Sequence, residues 1–80
     1  MKQDELLAFV ESVLGELHTS QVQKVQRIAQ QYVPGLNAED LRNPDDFPEL
    51  VSNPHFTYED GVAAGILSAK IALRARIREA

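Results

Sequence analysis

The chain opens on a periodic run of apolar residues. Leu6, Leu7, Val10, Val13, Leu14 and Leu17 recur at intervals of one, three and four, and on a helical wheel they fall within about 120°. Glu5, Ser12 and Glu16 take the other side, and Phe9 sits at the edge of the stripe. The pattern predicts a first helix over residues 3–18, with Gly15 on its polar side. Thr19 and Ser20 are good capping residues, so a second helix is expected over 20–33. Its inner face is Val22, Val25, Ile28, Ala29, Tyr32 and Val33, while Gln23, Lys24, Arg27, Gln30 and Gln31 face out. Pro34 and Gly35 end it, because the residue before proline disfavours α geometry and glycine takes positive φ readily. The short link makes these two helices antiparallel neighbours.

Periodicity fails over residues 36–56. Asn37 can cap a short turn at 38–42. Asp46 and Glu49 fit a capping box, with Phe47 and Pro48 in the first turn, which predicts a second short helix to about Ser52. Asn43-Pro44 and Asn53-Pro54 are turn signals on either side of it. Leu36, Leu41, Phe47, Leu50, Val51 and Phe56 are the anchors expected to pin this segment to the core.

The last helix is expected over residues 57–79. Thr57 can cap it, Glu59 and Asp60 suit its positive end, and Arg74, Arg76 and Arg78 suit its negative end. Val62, Ile66, Ala69, Leu73 and Ile77 form one stripe, but Leu67 and Ile71 lie well away from it. A helix apolar on most sides is normally buried on most sides. The other helices, or a second copy of the chain, are therefore expected to wrap it. Gly61, Ala64, Gly65, Ser68, Ala72 and Ala75 form a stripe of small residues that lets another backbone come close. That backbone is either an earlier helix of the same chain or a second copy.

Composition narrows the class. Eighty residues make one domain with limited apolar surface to bury. The expected fold is all-α: a small bundle of three main helices plus one or two short ones, with the C-terminal helix central. No cysteine is present, so disulfides and thiolate metal sites are excluded and tight packing or oligomerisation must hold the fold. The first residues, MKQDELLAFV, lack the basic-then-apolar layout of a signal peptide. The apolar run near the C-terminus is too short to span a membrane, and Lys70 interrupts it. A soluble cytoplasmic protein is the expectation.

Candidate chemistry is sparse. An EF-hand counted from Asn43 has Phe47 and Pro48 at its fifth and sixth positions, where a ligand and a glycine are needed. His18 and His55 lack a partner at ligand spacing. Asp45, Asp46, Glu49, Glu59 and Asp60 read as turn and cap residues rather than as an acid–base pair. Ser12, Ser20, Ser52 and Ser68 have no nucleophile-elbow context. Size, acidity and helix count resemble acyl carrier proteins in bulk, but the Asp-Ser-Leu attachment motif of that family does not occur. No catalytic, cofactor-binding or metal-ligating residue is assigned, and an enzyme is not expected.

Charge is distributed unevenly. Residues 39–60 hold seven acids and one base, whereas four bases and one acid follow from Lys70 onward, in a chain of net charge −4. Such a layout can steer a partner. The function expected is a non-enzymatic helical interaction module, a regulator or accessory subunit, with another protein or a second copy as its partner. Gly61, Gly65, Ser68 and Ala72 are the candidate seam, with Lys70, Arg74 and Arg78 beside it. The alternative is nucleic-acid binding on the side of Lys70, Arg74 and Arg78, although no aromatic residue interleaves with these bases for stacking.

Overall fold

The computed structural model describes residues 2–79, with side chains through residue 77. It is all-α, with no strand among the described residues. Helix α1 spans Gln3–Tyr32, α2 spans Pro48–Val51 and α3 spans Pro54–Glu79, with 3-10 turns at Asp40–Arg42 and Pro44–Asp46. The two long helices form an antiparallel hairpin. Its direction is set by cross-helix pairs: Glu59 meets Gln21, Lys70 lies over Gly15, and Arg74 pairs with Glu11.

One 30-residue helix stands where two were expected over 3–18 and 20–33. The reason is phase. Leu7, Glu11, Leu14, His18, Gln21, Val25 and Ile28 are all at least partly buried, and they recur at alternating intervals of four and three. This seam runs through Thr19 and Ser20 without a shift, and neither residue interrupts a helix as proline would. Side chains that can cap a helix do so only where packing calls for an end.

The start of α3 also differs. The helix begins at Pro54 rather than Thr57. Asn53 is the cap: its Oδ1 accepts from the Phe56 backbone N–H at 3.0 Å, and proline follows at the first helical position, where its missing donor costs nothing. Thr57 lies inside the helix and its hydroxyl donates back to the carbonyl of Asn53 at 3.1 Å. The expected Asp46–Glu49 capping box is likewise replaced. Phe47 occupies the N-cap of α2, with Pro48 at the first helical position.

The connection folds as a compact cover over one end of the hairpin. Gly35 takes φ of 86°, a conformation that a side chain disfavours, and so turns the chain out of α1. Gln30 then donates to the Leu36 carbonyl at 3.0 Å. Asn37 and Asp40 exchange backbone-to-side-chain hydrogen bonds at 3.0 and 2.9 Å, as the capping reading of Asn37 expects. Leu36, Leu50 and Phe56 are buried with Val25, Ile28, Ala29 and Ala63, and Val33, Leu41 and Phe47 pack against them. Val51, expected as an anchor, is largely exposed.

The core is therefore confined to this closed end. Along the rest of the hairpin each long helix has one neighbour, and α3 is covered on one side instead of being wrapped. Two helices cannot surround a third of their own number, and the third main helix that would have done so is part of α1. The radius of gyration is 15.4 Å, against about 11.6 Å for a compact chain of this length.

Leu50 is completely buried whereas Leu67 is 41% exposed. Leu50→Ala is expected to cost about 2–5 kcal/mol in a urea denaturation curve, and Leu67→Ala less than about 1 kcal/mol. Equal losses at the two sites would place the core elsewhere.

Candidate interaction faces

The seam between α1 and α3 alternates apolar and polar residues. On α3 it runs Phe56, Glu59, Ala63, Ile66, Lys70, Leu73 and Ile77, again at intervals of three and four. Glu59 is 7% exposed and is held at every side. Lys24 Nζ lies 2.8 Å from its carboxylate. The Gln21 side-chain amide donates to its backbone carbonyl at 3.0 Å and to its carboxylate at 3.3 Å. The hydrogen bonds from Lys24 and Gln21 lower its pKa against the opposing effect of desolvation, and the charges of Lys24 and His55 add to the lowering. By its position alone Glu59 is a first-turn acid of the last helix. Its place three residues from Phe56 and four from Ala63 was the signal that it faces inward.

This tie registers the hairpin one turn before Ala63, the last core residue on α3. Beyond it the seam is thin. Lys70 lies across Gly15, with its Nζ 3.5 Å from the position a Cβ would take there. Gly15 is thus part of the seam rather than of the polar side. Arg74 pairs with Glu11. Two of the three bases expected to form a basic side are thus directed at α1, one of them onto an acid. The side chain of Arg78 lies outside the described residues.

The small-residue stripe faces away from α1. Gly61, Gly65, Ser68 and Ala72 are all exposed, and nothing lies within 4 Å of an added Cβ at Gly61 or Gly65. The alternative in which an earlier helix of the same chain approaches this stripe is not what the fold adopts. Glycine in such a position lowers helix stability without any gain in packing inside the chain.

A second open face lies on α1. Leu6, Val10, Val13 and Leu17 recur at intervals of four, three and four, one step round the helix from the seam. Leu17 is 50% exposed, Val13 45% and Leu6 49%, and Phe9 beside them is 57% exposed. By periodicity alone this row groups with Leu7 and Leu14 as a single core face. The structure splits the group: Leu7 and Leu14 enter the seam, and the row beside them has no covering element within the chain.

Other features are weaker. A groove of about 340 Å³ runs between Val22, Leu41 and Ala63, with Arg42 and Asp60 at its rim. It has no set of converging polar groups that would orient a ligand. Among the described residues no group of three or more histidines, cysteines or acids could hold a metal ion. Among them, too, no helix is long and apolar enough to cross a membrane. No protein-family model, curated protein sequence or solved structure matches the chain.

Two measurements check this geometry. Glu59 has its pKa lowered from an ordinary 4.5, so its pairing contributes stability that is present above that value and lost as pH falls through the lower, folded one. Thermal melts from neutral pH to about pH 3 should show that loss, and Glu59→Gln should lower the melting temperature at neutral pH while flattening the acid limb. Gly61→Ala and Gly65→Ala should each stabilise the isolated chain by about 1 kcal/mol, because they meet open space on a helix. A destabilisation on thermal melting would show that something covers that face.

Proposed function

We propose that the protein is a non-enzymatic helical interaction module that docks through the open end of its hairpin. The observation that carries this reading is the uncovered row Leu6, Val10, Val13 and Leu17 with Phe9 beside it. Soluble monomers rarely leave contiguous apolar patches of this kind without a partner for them. The closed end, by contrast, has a buried core of its own and pairs the buried carboxylate of Glu59. The module would then be a folded clamp at one end and an adhesive pair of helices at the other, as suits a regulator or accessory subunit.

The alternative of nucleic-acid binding through Lys70, Arg74 and Arg78 has less in its favour. Arg74 already has an acidic partner in Glu11, which a phosphate would have to displace. The net charge of −4 also opposes a polyanion.

The two readings separate in one comparison. Leu17→Glu should abolish association of the purified protein with its partner while leaving the helical circular dichroism and the melting temperature within a few degrees of wild type, because the residue is half exposed. Arg74→Ala should leave association intact. The reverse pattern, with binding to a labelled oligonucleotide at low salt that falls steeply as salt rises, would replace the docking reading by the nucleic-acid one.

A further inference from the structure

We infer that the occupant of the exposed row on α1 is a second copy of this chain, reversed, so that two hairpins stack into a four-helix bundle across a two-fold axis. The inference rests on the docking reading above and names its partner. Three observations point to it.

The first is area. The chain exposes 5734 Å², whereas a monomeric folded protein of its 8.9 kDa exposes about 4,800 Å². The surplus, about 900 Å² over the whole chain, is of the same size as the roughly 800 Å² that each partner buries in a stable complex of standard size. The molecule is also drawn out to 47 × 20 × 18 Å. A second hairpin laid on it doubles one of the short dimensions and brings the assembly nearer to a compact shape.

The second is the order of side chains in the row. Leu6, Val10, Val13 and Leu17 read Leu, Val, Val, Leu, and their spacing of four, three and four is the same in both directions. A two-fold axis between Val10 and Val13 sets Leu6 of one copy against Leu17 of the other, and Val10 against Val13. Each layer then contains one residue type, and the whole row is covered. An isologous contact needs this kind of self-complementarity, and a row shaped for an unrelated protein does not.

The third is polarity at the ends of the row. It stops at Gln3 on one side and at Ser20 and Lys24 on the other, and Lys24 is engaged with Glu59. The overlap is therefore limited to the thin half of each hairpin. The closed ends, with their covers, project in opposite directions and do not collide. Reversal also places the Asp4 and Glu5 pair of each copy at opposite ends of the overlap, so these acids do not face one another, and the adjoining α1 dipoles oppose.

Light scattering of the wild-type chain over a range of concentrations should give twice the mass of the 8.9 kDa chain, and Val13→Asp should give the single mass with its helical signal retained. Because the chain has no cysteine, paired substitutions report the direction. Leu6→Cys mixed with Leu17→Cys should form a disulfide between the two variants under mild oxidation. Leu6→Cys alone should form little, because reversal separates the two copies of that residue by about 16 Å along the bundle. A monomeric mass at every concentration would overturn the inference, as would a Leu6 homodisulfide in place of the mixed one. A monomer that still associates with a different protein, and loses it on Leu17→Glu, leaves the docking reading standing. A monomer whose row can be made polar without any loss of association removes both.

Discussion

Only two long helices are available to this fold, and each can bury one stripe against the other. The rest of the structure follows from that limit. Where the connection folds back over the hairpin, a third layer exists and Val25, Ile28, Leu50 and Phe56 become a core. Beyond the reach of the connection no third layer exists, and residues with the same apolar character stay in water. The molecule is accordingly polarised, with a closed end that resembles a small domain and an open end that resembles half of a helical bundle.

The boundary between the two ends is polar. Glu59, Gln21 and Lys24 form a tie one turn before the core stops at Ala63. A buried carboxylate without partners would be costly, and this one has a cation and an amide supplied by the facing helix. Replacing such a pair by apolar residues of its size is often neutral or stabilising. What it provides is register, because sliding α1 along α3 by one turn would leave the carboxylate buried and unpaired. Lys70 over Gly15 and Arg74 on Glu11 continue the same register into the open half with exposed, salt-screened contacts.

This division bears on function. An interaction module needs a part that folds without help and a part that does not complete itself. In the proposed reading the closed end, with its core and its capped connection, is the first. In the same reading the open end is the second, with an exposed apolar row on α1 and an exposed face of small residues on α3. The two faces differ in what they can contribute: large side chains at Leu6, Phe9, Val13 and Leu17 bury area, whereas the small-residue face permits close approach but adds little apolar surface of its own.

The helical class, the stop at Pro34-Gly35, the capping role of Asn37 and the anchoring of Leu36, Leu50 and Phe56 were legible in the residues. They depend on local backbone preference and on side chains that have no other place to go. The continuity of α1 is not legible in the residues, because Thr19 and Ser20 are compatible with a cap and with a helix interior, and only the phase of the seam on α3 chooses between them. The start of α3 was written in Asn53-Pro54, but the same pair also serves as a turn. Glu59 looked like any first-turn acid until its neighbours across the hairpin were known. The sequence determined that helices form and which residues are apolar, since both are properties of a residue and its near neighbours. The tertiary structure decided which of the adjacent stripes on α1 and α3 is buried and which is left open, because that depends on how many elements are present to cover them.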